Sequence, residues 1–518
     1  MAIFNLSEPA PPIPDQPDSD PATPPAPKPP GSRFPLKTAL AIAFAAILLA
    51  GWNLKVDPGK GLDSSIFGDA FSLHWPQRPS QPGPAQPKID ASKLPPTSPV
   101  FVDGSNSLDP FFVALYKLEQ GKGGVVTILH YGDSPTTADL ITGDIRAQLQ
   151  SRFGDAGRGY TLVAKPWAWY GHRGVEMSSS GWRMRTGVGL VREGIYGLGG
   201  AAFEGKQGAW SKFHITGSEQ TAVEIEYLAH PGGGSFAVAA DGNQIATQST
   251  DSETQAAAFF HAELPPGTKI VSVQPSSGTV TLFGVDCRRG QSGLLYDSLG
   301  LNGATTSVLA RVMQPQIWKQ ELDHAGPSLI IINYGSNESS FGKFVHTQYA
   351  NELRLAIARI RQLDPNASIL IMSPMDRGER TGLDEIETMD TIPEIVAIQR
   401  QVAAETHCAF FSTYEAMGSK GTMARWYAAS PRLVTADLLH PTPQGATIVA
   451  GLFLEQLSLR YDRWKMQHGI AVQPSPATPA SKPAPRTGPK LAAKVATVKT
   501  ALNAQSANHH HDKTTGTK

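Results

Sequence analysis

The chain has 518 residues with 45 Lys plus Arg against 45 Asp plus Glu, enough length for two or more domains and no global field to draw in nucleic acid or an acidic partner. Its two cysteines, Cys287 and Cys408, are too few for a disulfide framework and match no zinc spacing. They leave open a single pair in an oxidising compartment or two buried small hydrophobes.

Residues 1–35 are Pro-rich, cannot assemble a packed core, and read as a disordered, partly polyproline segment. Residues 36–54 follow, where the uncharged run Thr38 to Leu54 lies between Lys37 and Lys55 with Trp52 near its end. At about 1.5 Å per residue the run spans most of a hydrocarbon core about 30 Å thick. A cleaved signal peptide is the rival reading, but its positive region is short, whereas here the whole of residues 1–37 comes first. The expectation is therefore a single-pass anchor in the cytoplasmic (inner) membrane. Arg33 and Lys37 place the N-terminus in the cytoplasm and everything after residue 55 in the periplasm or beyond. Residues 55–100 are a Pro/Ser-rich tether. At the other end, residues 469–518 form a Pro/Ala/Lys-rich tail read as disordered, with His509 to His511 solvated.

Between these segments two textures alternate. Residues 101–182 and 290–468 show apolar runs, "VVTILHYG", "SLIIINYG", "ASILIMSP" and "CAFFST", each followed by a helical pattern. Apolar strands joined by helices predict a parallel sheet covered on both faces. Residues 183–289 instead alternate in period two, as in "AVEIEYLA" and "TKIVSVQP", with turns at Asp241-Gly242 and Pro266-Gly267. That pattern predicts an all-β sandwich inserted into the α/β domain.

Functional groups in open α/β sheets gather at the carboxyl ends of strands. Ser134 falls there, after "VVTILH", with a helix expected near Thr136; taken alone, a serine at this place reads first as a helix N-cap. The G-x-S-x-G elbow fails, because the run Gly132-Asp133-Ser134-Pro135-Thr136 lacks the second glycine and Pro135 has no N–H to offer an oxyanion. Far downstream, "TADLLHPTPQG" places Asp437 and His440 three apart before a helix, close enough for a carboxylate to orient an imidazole. Asn337 in "NYGSNES" and Gly303 in "LGLNGA" each follow an apolar strand, where an amide can be aimed at developing negative charge. His130, His172 and His324 are other candidate bases, read as core or surface histidines. Ser298 is a rival nucleophile, Asp133 a structural hydrogen-bonding group, and Trp167 to Gly174 either a sugar-stacking surface or a core cluster.

Together, Gly-Asp-Ser134, Asn-Gly303-Ala, Gly-Ser-Asn337-Glu and Asp437-Leu-Leu-His440 resemble, in order and context, the four blocks of the SGNH, or GDSL-type, hydrolases. The resemblance implies a flavodoxin-like three-layer fold. It implies Ser134 as nucleophile, His440 as base oriented by Asp437, and an oxyanion hole of Ser134, Gly303 and Asn337, with no metal and no cofactor. Pro135 stands where the family has leucine, and Glu338 where it has aspartate. "GDSPTTADLITGDIRAQLQSRFGDAGRGY", the β insert and "LLYDSLGLNGA" are similar to the exported branch that contains peptidoglycan O-acetylesterases. That similarity implies an O-acetylated glycan as substrate and a carbohydrate-binding role for the insert. A polysaccharide O-acetyltransferase using the same residues, and a non-catalytic glycan-binding protein, are the alternatives.

Overall fold

The structure is a computed structural model that describes residues 100–189, 194–382 and 385–472. The expected membrane span 36–54, the segments on either side of it and most of the C-terminal tail lie outside the described residues. Among the described residues no helix is long and apolar enough to cross a membrane.

Six strands make the central sheet: β1 (Phe101–Val102), β2 (Val125–Gly132), β3 (Gly293–Gly300), β4 (Pro327–Asn333), β5 (Ser368–Met372) and β6 (Ala409–Phe411). Their order is β1-β6-β5-β4-β2-β3, parallel from β6 to β3 with β1 antiparallel at the edge. Seven helices matter for its packing: α1 (Asp109–Glu119), α2 (Ser134–Thr137), α3 (Leu140–Phe153), α4 (Pro315–Ala325), α5 (Tyr349–Leu363), α6 (Thr391–Glu405) and α7 (Pro443–Gln467). The strands are apolar on both faces because both are covered. Val126, Ile128, Ile331, Leu370 and Phe411 pack with α1, α3 and α7. The alternate residues Leu129, Tyr131, Ile330, Ile332, Ile371 and Phe410 share a core with residues of α4, α5 and α6.

The polypeptide between α3 and β3 is a two-sheet sandwich. One sheet orders its strands 243–249, 235–240, 270–277, 210–215 and 175–180; the other orders 256–263, 222–229, 279–288, 201–206 and 183–186. The strand Val175–Ser180 belongs to the sandwich, so the insert begins earlier than residue 183. Its run "VEMSSS" sits at a sheet edge with alternate residues exposed, and the serines there disguise the apolar alternation. The last strand of the insert, Thr279–Arg288, also pairs antiparallel with Gly157–Leu162, which leads out of the α/β domain.

The sandwich is not a bead on a string. Phe203, Phe213 and Val285 of its interior form one continuous core with Leu129, Ile330 and Trp318 of the α/β domain. Helix α4 lies at the junction: Gln320 accepts from the Ala257 N–H at 2.8 Å, and His324 stacks on Phe259 at 3.6 Å between ring centroids. The His324 ring also hydrogen-bonds Glu224, so this histidine serves packing. Cys287, in the strand shared by insert and domain, and Cys408, beside β6, are both buried and unpaired. Burial pushes the Cys287 thiol up to about 12.

Trp318 is fully buried, donates its indole N–H to Tyr131 Oη at 3.1 Å and meets that ring edge-on. Trp318→Ala should cost about 3–5 kcal/mol, measured by urea unfolding. Because one core spans both parts, tryptophan fluorescence and far-UV circular dichroism should report a single coincident transition; two resolved transitions would contradict the continuous core.

Candidate active site

The hydrogen-bond register of the sheet sets the site. Gly132, the last residue of β2, pairs with Gly300 at the end of β3 on one side and with Asn333 at the end of β4 on the other. Three loops therefore leave the sheet from one rung, and Ser134, Gly303 and Asn337 follow it closely in their respective loops. A side chain at Gly132 would strike Thr136 Oγ1 at 2.1 Å, so the sharp passage from β2 into α2 requires glycine. Gly303 has φ +76, the left-handed region that favours glycine.

Ser134 is the first residue of α2 rather than its cap. Asp133 holds the N-cap position, and its carbonyl accepts from the N–H groups of Thr136 at 3.0 Å and Thr137 at 3.1 Å. Pro135 suits the first turn, where a missing N–H costs nothing. The rival Ser298 is buried on β3, shares a 2.9 Å hydrogen bond with Thr142 and donates to the Thr136 carbonyl at 3.2 Å. It braces the helix that carries Ser134.

His440 arrives from the opposite end of the chain on a tight turn before α7. Asp437 Oδ1 accepts from the N–H groups of Leu439 and His440, each at 3.0 Å, and from Thr435 Oγ1 at 2.6 Å. Leu438 between them takes φ +60 and is buried. Thr442 then caps α7 through Gly445 N–H at 3.3 Å. The turn leaves Asp437 Oδ2 2.7 Å from His440 Nδ1, and His440 Nε2 2.7 Å from Ser134 Oγ. A carboxylate only accepts, so Nδ1 carries the proton and Nε2 is free to accept from the Ser134 hydroxyl. Burial tends to raise the Asp437 carboxyl, yet its hydrogen bonds outweigh that and hold it well below the usual carboxylate range. The carboxylate therefore stays ionised opposite the imidazole.

The other two histidines are occupied or dry. His130, buried at the end of β2, sits 2.6 Å from Tyr296 Oη and 3.3 Å from Asn333 Oδ1. The Asn333 amide nitrogen donates to the Met372 carbonyl at 2.9 Å, which turns Oδ1 toward the ring. Burial lowers His130 to about 4 and His172 to about 3, so both stay neutral near neutral pH. The aromatic run from Trp167 divides: Tyr170 is core and accepts the Leu162 N–H at 2.9 Å, whereas Trp169 is 55% exposed. Gly171 N–H donates to the Thr137 carbonyl at 3.2 Å, which ties that loop to α2.

Asn337 donates one amide proton to the Ala304 carbonyl at 2.8 Å, linking the Asn337 turn to the Gly303 loop. Among the described residues its second amide proton has no hydrogen-bond partner, and it can be offered to an acyl oxygen. Sequence reasoning did not single out Arg377 or Thr435. Arg377 Nη1 donates to the Ser336 carbonyl at 2.7 Å and to the hydroxyls of Ser339 and Ser340, bracing the Asn337 turn. Arg377 lies in no motif with recognisable spacing, whereas Thr435 opens the stretch "TADLLHPTPQG" two residues before Asp437. Asp133 has a buried Oδ2 without a hydrogen-bond partner, and its carboxyl is pushed up to about 7, first by burial and then by the charge of Glu338. Among the described residues no cluster of three or more His, Cys, Asp or Glu side chains is placed to hold a metal ion.

A serine, an imidazole and a carboxylate in a hydrogen-bonded row, beside amides held on neighbouring loops, form the apparatus for acyl transfer. Residues 279–448 match the GDSL-like lipase/acylhydrolase family, a stretch that holds Gly303, Asn337, Asp437 and His440 but not Ser134. No curated protein matches the chain. Among solved structures, a peptidoglycan O-acetylesterase is similar at 21% identity and TM-score 0.61, over 70% of this chain and 99% of that one. A family two carbohydrate esterase from Cellvibrio japonicus is 11% identical with TM-score 0.26, over 59% of this chain and 98% of its own.

Replacing Asp437 by Asn should leave the turn in place but present the wrong proton to His440. Hydrolysis of a chromogenic acetate should slow by about 100- to 10,000-fold, with KM little changed. A rate within twofold of the parent would remove Asp437 from the row.

Proposed function

We propose, from the match of residues 279–448 to the GDSL-like lipase/acylhydrolase family, that the chain is an exported, membrane-anchored serine esterase that removes O-acetyl groups from a cell-wall or other polysaccharide. The observation that carries the reading is the row Asp437, His440, Ser134, with both hydrogen bonds at 2.7 Å. Support for the acetylated glycan comes from the sequence similarity to the peptidoglycan O-acetylesterase branch and from the overall likeness to a solved structure of such an enzyme. The anchor and the export rest on the apolar run of residues 36–54. The glycan-binding role of the sandwich rests on its place in the chain.

In this reading His440 Nε2 takes the proton of Ser134 as Oγ attacks the acetyl carbonyl. The imidazolium that forms is stabilised by the Asp437 carboxylate. Negative charge on the former carbonyl oxygen meets the amides of Ser134, Gly303 and the free N–H of Asn337. Collapse of the adduct passes the proton from His440 to the departing sugar oxygen and leaves acetyl on Ser134. Water then enters, His440 takes its proton, and a second collapse releases acetate and restores the serine. A sugar hydroxyl in place of that water turns the same steps into acetyl transfer.

The full chain should release acetate from an O-acetylated glycan, and Ser134→Ala should lower the rate about 1,000-fold or more. A serine-directed phosphonate should add its mass to the peptide that contains Ser134. Retained activity in Ser134→Ala, or a label on Ser298, would sink the mechanism.

A further inference from the structure

The two loops that bring Gly303 and Asn337 to the site leave strands that are not neighbours, because β2 lies between β3 and β4. The ladder through β2 sets where the two loops begin, but no ladder hydrogen bond joins them beyond the sheet. A buried side chain does: Glu338 Oε1 accepts from the N–H and the hydroxyl of Thr306, both at 2.8 Å, while Oε2 accepts from the Gly335 N–H at 3.1 Å. Thr306 belongs to the Gly303 loop and Gly335 to the Asn337 turn, so one carboxylate spans both.

We propose that Glu338 is a positioning residue for the oxyanion hole, a clamp that fixes the Gly303 loop against the Asn337 turn through Thr306 and Gly335. The proposal rests on the acyl-transfer reading of Ser134. It assigns Glu338 no contact with substrate. Three donors compensate a carboxylate that is almost wholly buried, at 1% exposure, which a structural filler at this place would not need. Asn337 also bonds across the two loops, to the Ala304 carbonyl, and that bond uses a proton of the amide being aimed. Without Glu338, that one bond would have to serve both the orientation of Asn337 and the spacing of its turn from Ala304. The aspartate that the family resemblance places here is one methylene shorter and could bridge the same two groups only with the loops drawn closer. Asp133 lies close enough for the charge of Glu338 to help burial raise its carboxyl; burial raises the Glu338 carboxyl as well, and the Thr306 and Gly335 donors oppose that rise.

The test uses the full chain with 4-nitrophenyl acetate as substrate and methylboronic acid as a tetrahedral adduct former. In Glu338→Gln the amide nitrogen, itself a donor, must face the Gly335 N–H at one end of the clamp or the Thr306 N–H at the other. The value of kcat should fall about 10- to 100-fold, with KM changed less than about threefold and boronate affinity weakened by a similar factor to kcat/KM. Thr306→Val should weaken both quantities less, and the double variant should be no worse than Glu338→Gln alone, because the two residues act through one contact. The clamp is overturned if kcat stays within twofold, if kcat falls while boronate affinity holds, or if the two effects multiply. Should Glu338→Gln fail to fold, Thr306→Val decides alone, and unaltered boronate affinity overturns the proposal. A parent chain that neither turns over the ester nor binds the boronate removes the acyl-transfer reading itself, whereas an active parent indifferent to Glu338 removes only the clamp.

Discussion

One rung of the central sheet governs the chemistry. Because Gly132 is paired with Gly300 on one side and Asn333 on the other, the loops after β2, β3 and β4 begin level with one another. Parallel strands make this possible, since all their carboxyl ends point the same way. A shift of a single residue in either pairing would displace a loop by about 3.3 Å and turn its side chains to the other face. The glycines at this rung answer to the same crowding, as a Cβ on Gly300 would come within 2.3 Å of the Thr137 nitrogen. The starting points of the loops that carry Ser134, Gly303 and Asn337 are thus set by backbone geometry before any side chain contributes.

The imidazole comes from outside that arrangement. His440 is separated from Ser134 by 306 positions and by the whole sandwich, and its placement depends on the local turn around Asp437 and on α7, which packs against β6 and α3 through Phe453, Ala450 and Val449. The insert must therefore be tolerated without disturbing the sheet. Its last strand achieves this by pairing with Gly157–Leu162 and leading directly into β3, so both passages between sandwich and sheet run along one shared ladder. A side chain at Gly284 would enter the Tyr160 ring at 2.0 Å, which shows how closely that passage is packed.

The alternation of fully apolar runs with helical patterns made the parallel sheet readable, and the period-two pattern made the sandwich readable, because both follow from which faces are buried. The residues Ser134, Gly303, Asn337, Asp437 and His440 were readable as a set through their motifs, although each alone had an ordinary structural explanation. What sequence left hidden depends on contacts between distant residues. The strand Val175–Ser180 carries serines on an exposed edge, so its strand character comes from pairing with Trp210–Ile215. Ser298 is a rival nucleophile by sequence, and only the fold shows its hydrogen bonds to Thr142 and to the Thr136 carbonyl. Arg377 and Glu338 lie in loops without periodicity, and their roles are set by which carbonyls and amides the fold brings within reach.

The buried polar groups around the site follow from the requirement that charge be met by donors already in place. Donors that reorient when an oxyanion forms spend stabilisation on their own rearrangement, whereas donors fixed by a rigid, water-poor frame do not. Such a frame needs buried carboxylates and imidazoles whose own charges are costly to desolvate. His130 illustrates the cost, since burial leaves it neutral and a proton on it would have no carboxylate in contact. Asp133 illustrates it again through an oxygen with no hydrogen-bond partner directly before the serine. An apolar residue at either position would fit a sheet core more cheaply. Their concentration at the carboxyl end of β2, and not along the middle of the strand, is what distinguishes a site held ready for charge from the ordinary interior of an α/β domain.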